Sequence, residues 1–105
     1  MSVQQQLDPI VQEFVDALNA NDRDRFHSVL TEDATMSDDG VERDVEQWTD
    51  SEVFASNGRM QVETVIDGGI ELLADYTNSR WGSMRTSWRF TVRDGKISRF
   101  ETGQA

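Results

Sequence analysis

The sequence predicts an α+β domain: three N-terminal helices, then an antiparallel four-stranded meander, with a short extra strand between them. Three observations carry this reading. Apolar residues recur at helical spacing before residue 59 and at every second position after it. Acids stand at cap positions ahead of each helical stretch, and glycine-bearing turns separate the strand-like stretches. At 105 residues the chain suffices for one core, so residues 1–105 are expected to form a single domain.

The first helix begins at Asp8-Pro9, a capping acid followed by proline at the first helical position. Ile10, Val11, Phe14, Val15 and Leu18 then share one face to about Ala20. A start at Ser2 with Gln5 would place Pro9 inside the helix, which disfavours it. A second helix from Asn21 or Asp22 turns Phe26, Val29 and Leu30 inward and ends near Thr31. Residues 34–36 then have room only for a brief strand before the acid turn "SDDG". Asp44 with Gln47 forms a capping box for a third helix that carries Val45, Trp48 and Phe54 toward the core.

The meander reads as Met60 to Ile66, Ile70 to Asn78, Met84 to Arg93 and Ile97 to Thr102, with "DGG" and "RDGK" as turns. In the third of these strands Met84, Thr86, Trp88, Phe90 and Val92 face one side, and Arg85, Ser87, Arg89, Thr91 and Arg93 the other. Thr86 is its one inward polar residue. For the last hairpin, a two-residue Asp94-Gly95 loop would pair Trp88 with Glu101, whereas a three-residue loop with a glycine bulge pairs Trp88 with Phe100; the bulge is expected, because it places two aromatics on the buried face.

Composition excludes several chemistries. Without cysteine there is no disulfide, thiolate nucleophile or zinc–sulfur site, and a single histidine, His27, leaves little scope for paired imidazoles or a multi-histidine metal site. No metal or other cofactor is expected. The net charge of −10 is uneven: residues 1–58 carry −11 and residues 59–105 carry +1. Phosphate backbones would be repelled by the first part, so nucleic acid is not an expected partner. No stretch has the length and apolarity of a signal or a membrane span, and the expectation is a soluble cytoplasmic protein without a membrane partner.

The stretch "VQEFVDALNANDRDRFHSVLTEDATMSDDG" resembles the opening of ketosteroid isomerases and SnoaL-like polyketide cyclases, and "WRFTVRDGKISRF" resembles their last hairpin. Both belong to the nuclear transport factor two-like superfamily. The resemblance implies a cystatin-like cone whose helices and curved sheet enclose one pocket. It also implies sheet-to-sheet homodimers, for which the outward arginines and hydroxyls of residues 85–93 offer a surface.

Carried over residue by residue, the isomerase pattern puts its general base at Asp38, directly after the first short strand. Its oxyanion-hole tyrosine falls at Phe14 and its protonated aspartate at Thr86, so both strong donors are missing. From the residues alone, Asp38 is either a solvated turn acid or a base at a pocket entrance; Asp39 beside Gly40 reads as a turn residue. The resulting expectation is an apolar pocket lined by Phe14, Trp48, Met84, Thr86, Trp88 and Phe90, with Asp38 near its entrance. Its ligand would be a small hydrophobic molecule. The competing expectation is a non-catalytic dimerisation or protein-interaction domain whose pocket is filled by its own side chains.

Overall fold

A computed structural model describes residues 6–105 of the chain. Helix α1, Pro9–Asn19, is capped by Asp8, whose carboxylate accepts from the Ile10 N–H at 3.0 Å. It buries Val11, Phe14, Val15, Ala17 and Leu18. The alternative start at Ser2 and Gln5 lies outside the described residues.

Helix α2, Arg23–Ser28, is capped by Asp22 as expected but ends three residues before Thr31. Leu30 already belongs to strand β1, Leu30–Asp38, which is nine residues long where only residues 34–36 were expected. The reason is a partner far along the chain. β1 runs parallel to the last strand, β6, Lys96–Gln104, with Leu30 opposite Ile97 and, after a register shift, Met36 opposite Phe100 and Asp38 opposite Thr102. Val29 and Leu30 are buried either way, so local periodicity could not separate a last helical turn from the start of a strand.

Asp39 and Gly40, with φ of +50° and +81°, make the tight turn into β2, Val41–Arg43. Helix α3, Val45–Thr49, follows with Asp44 as its cap and runs on through one π-helical turn, Asp50–Phe54. The carbonyls that end a helix lack intrahelical donors. That of Glu52 accepts from the Tyr76 hydroxyl at 2.6 Å and the Asn78 amide at 2.9 Å, which locks the π turn onto the sheet.

Strands β3 (Arg59–Ile66), β4 (Glu71–Asn78), β5 (Gly82–Arg93) and β6 form the expected antiparallel meander. The complete curved sheet has the order β2-β1-β6-β5-β4-β3. Asn19 at the end of α1 grips edge strand β3 by accepting from the Met60 N–H at 2.7 Å and donating to its carbonyl at 2.9 Å. The expected register of the last hairpin is corrected. Asp94 and Gly95 form a two-residue loop, the shift falls beyond it between Thr91 and Val92, and Trp88 pairs with Thr102 while Phe90 pairs with Phe100. Two aromatics still meet on the buried face, now as Phe90 and Phe100.

The core centres on Phe14, whose ring lies 4.7 Å from Phe26, 4.9 Å from Phe90, 5.2 Å from Phe100 and 6.0 Å from Trp88, three of them edge-on. Outside, four arginines are paired with acids: Arg85 with Glu63, Arg89 with Glu71, Arg93 with Asp33 and Arg99 with Glu42. The Thr31 hydroxyl and then Arg93 hold the Asp33 carboxyl below its usual range, and Arg99 does the same to Glu42. The outer face is therefore mixed in charge rather than basic. No helix among the described residues is long and apolar enough to cross a membrane.

Candidate functional site

A cleft of about 260 Å³ opens between α3, the β4–β5 hairpin and the C-terminal end of β6. Trp48 comes from α3, Tyr76 from β4, Trp81 from the β4–β5 turn, and Met84, Thr86 and Trp88 from one face of β5. Period-two alternation puts the β5 residues there, since the same face that covers the core runs on past it. Asp38 and Asp39 close one side, next to Thr102, Gly103 and Gln104.

Asp38 is half-buried, and its Oδ2 accepts the indole N–H of Trp48 at 3.0 Å. This bond joins the end of β1 to α3 and fixes the carboxylate against an aromatic wall. Asp39 serves the scaffold: its Oδ1 accepts from the Gln104 N–H at 2.9 Å, and its own N–H donates to the Thr102 carbonyl at 2.9 Å. A Cβ on Gly103 would stand 2.7 Å from that Oδ1, so a larger residue there would push the Asp39 carboxylate off the Gln104 N–H.

Thr86 faces inward, but its hydroxyl is engaged. It accepts from the Trp88 indole N–H at 2.8 Å and lies 3.3 Å from the Ala74 carbonyl, to which it donates. A chain of bonds thereby satisfies two buried donors at the place where the isomerase pattern has a free acid. Tyr76 presents its ring to the cleft while its hydroxyl points to Glu52, and burial pushes its phenol above its ordinary value. Gly58 makes room for this arrangement, since a Cβ there would lie 2.2 Å from the Tyr76 oxygen.

Of the expected wall residues, Trp48, Met84, Thr86 and Trp88 come together around the cleft with Asp38. Phe14 and Phe90 do not: neither borders the cleft, and their rings pack against each other at 4.9 Å in the core, with Phe14 6.0 Å from Trp88. Their side chains are buried, as the periodicity required, but periodicity does not distinguish a cavity wall from a filled core. Sequence reasoning missed Tyr76, although the period-two pattern of β4 signals its inward side. It also missed the end of β6, which reaches the site only through parallel pairing with β1. His27 packs beside Phe26 and Phe54, away from the cleft. No group of three or more metal-ligating side chains occurs among the described residues.

No protein-family model and no curated protein matches the chain. Solved structures match over nearly its whole length. A candidate polyketide cyclase of Sinorhizobium meliloti has a TM-score of 0.78 at 22% identity, covering 91% of this chain and 94% of that one. A nuclear transport factor two-like protein of unknown function from Cytophaga hutchinsonii gives 0.73 at 17%, covering 100% and 95%. A candidate ketosteroid isomerase of Kribbella flavida gives 0.69 at 14%, covering 92% and 76%. The chain has the cystatin-like, nuclear transport factor two-like fold that its opening and last hairpin resemble. At these identities the likeness speaks for the fold alone.

The position of Phe14 sets an expectation that differs from the isomerase pattern. In Phe14→Tyr the added hydroxyl enters a cluster of Phe26, Phe90 and Phe100 rings instead of the cleft. An unpartnered buried hydroxyl costs roughly 1–3 kcal/mol. Urea denaturation should show this loss, whereas unchanged stability would mean that the para position of Phe14 reaches a polar partner or the cleft.

Proposed function

We propose that the chain binds a small hydrophobic molecule in this cleft and that Asp38 moves a proton on it. The observation that carries the reading is the Asp38 carboxylate, held by the Trp48 indole at the edge of a cavity walled by aromatic rings. Apolar walls with a few fixed polar groups characterise small-molecule sites. The structural likeness to a candidate cyclase and a candidate isomerase is compatible with such chemistry. An open cleft favours this reading over a domain whose pocket is filled by its own side chains.

With a β,γ-unsaturated ketone bound, the carboxylate takes the α proton, the C–H bond breaks and its electrons form a dienolate. The carboxylic acid so formed returns the proton to the γ carbon and leaves the conjugated enone. General-base action contributes about a hundred- to ten-thousand-fold. An oxyanion donor would add about a further hundred- to thousand-fold, but here the Thr86 hydroxyl is already committed and Phe14 is in the core. The expected activity is therefore small.

The test uses cyclohex-3-enone, a single-ring ketone suited to the cleft, followed by the ultraviolet absorbance of its conjugated product. We expect acceleration over buffer of about a hundredfold, the lower end of what a general base alone supplies. Asp38→Asn should abolish it while binding of cyclohex-2-enone persists. Binding without acceleration by the parent would overturn the proton-transfer role, and absence of binding would overturn the proposal as a whole.

The proposal includes a homodimer through the outer face of the sheet. There Ser37, Ser87 and Gly103 form the floor of a trough rimmed by Glu71, Arg89 and Glu101. A two-fold axis across it sets Arg89 of one copy against acids of the other, the self-complementary pattern of an isologous interface. Light scattering at micromolar concentration should give twice the chain mass; a mass of 12.0 kDa would contradict it.

A further inference from the structure

The cleft has a charge character that an apolar ligand alone does not explain. Four of its wall residues are aromatic, Trp48, Tyr76, Trp81 and Trp88, and two are acids, Asp38 and Asp39; no lysine, arginine or histidine lines it. The arginines next in the chain to wall residues are committed elsewhere, Arg80 to Glu52 at 3.0 Å, Arg85 to Glu63 at 3.2 Å and Arg89 to Glu71 at 3.2 Å. Trp88 lies 6.2 Å from Trp48 at 73° and 5.8 Å from Tyr76 at 51°, so these rings form an angled corner rather than a flat stack. Trp81, 42% exposed, stands at the mouth.

Each ring face carries partial negative charge, and several such faces around one space attract a cation that has left water. The carboxylates add full negative charge at the edge of the same space, where low-dielectric walls weaken screening. An anionic ligand meets the opposite: two acids and no basic side chain on the walls.

We propose that the ligand of this cleft is a cation, a small molecule bearing a quaternary ammonium or protonated amine beside its hydrophobic part. This rests on the ligand-binding reading above and narrows it to a chemical class. The cationic head packs in the corner of Trp48, Tyr76 and Trp88, Trp81 covers it from the mouth, and Asp38 supplies the counter-charge. Pairing with a cation favours the charged carboxylate and weakens it as a base, so this charge selection stands apart from the proton transfer that cyclohex-3-enone tests.

The experiment compares two probes of the same shape by calorimetry: benzyltrimethylammonium and neopentylbenzene, which replaces the charged nitrogen with carbon. Cyclohex-2-enone is titrated alongside. The cation should bind about tenfold more tightly than its neutral counterpart, in keeping with a desolvated cation–π site. Its advantage should shrink between about 0.05 and about 0.5 M salt. Asp38→Asn should weaken the cation while changing neopentylbenzene little, and Trp81→Ala should weaken both probes, the cation by the larger factor; Trp81 is exposed enough that its removal leaves the core intact. Equal binding of the two probes, or tighter binding of the neutral one, overturns the charge selection while the ligand-binding reading stands. Failure of both probes and of cyclohex-2-enone overturns the two together.

Discussion

Trp88 is the partition on which the rest of the structure depends. Its ring, 1% exposed, has Phe14 and Phe100 on the core side, at 6.0 and 6.3 Å, and Trp48 and Tyr76 on the cleft side. A buried indole N–H has to find an acceptor. Thr86, two residues back on the same face of β5, supplies it and donates its own O–H to the Ala74 carbonyl. The partition is thereby rigid and internally satisfied, and the cleft can stay empty of side chains without exposing the core.

The same requirement limits the chemistry. An isomerase-like oxyanion hole needs donors that are free in the resting protein and aimed at a developing charge. Here the inward hydroxyl of β5 is spent on holding Trp88, and the first-helix aromatic lies behind that wall. What remains is one carboxylate fixed by one indole, at the edge of a cleft lined by aromatic residues. That is a weak catalytic apparatus and a good recognition surface for a hydrophobic cation.

Much of this was legible in the sequence because it is local. Asp8, Asp22 and Asp44 cap the helices they precede, and the alternation of residues 84–92 correctly turned Thr86, Trp88 and Phe90 inward. Three of the errors share one cause. The length of β1, the end of α2 and the contribution of Thr102 to Gln104 all follow from the parallel pairing of β1 with β6, whose partners are more than sixty residues apart. No local period encodes such a contact. The bulge in β6 likewise escaped, since turn chemistry at Asp94-Gly95 sets the loop but not a shift beyond it. Burial was read correctly for Phe14 and Phe90, yet whether a buried ring borders a void depends on what packs opposite, which only the assembled fold decides.

The most direct test of the account is the response of the indole N–H resonances in a proton–nitrogen correlation spectrum as cyclohex-2-enone is added. The chain has three tryptophans, and all three border the cleft. The account predicts saturable shifts of the Trp48 and Trp88 indole signals, while the backbone amides of Arg85 and Arg89 stay in place. Unmoved indole signals, or shifts confined to the outer face of the sheet, would contradict it.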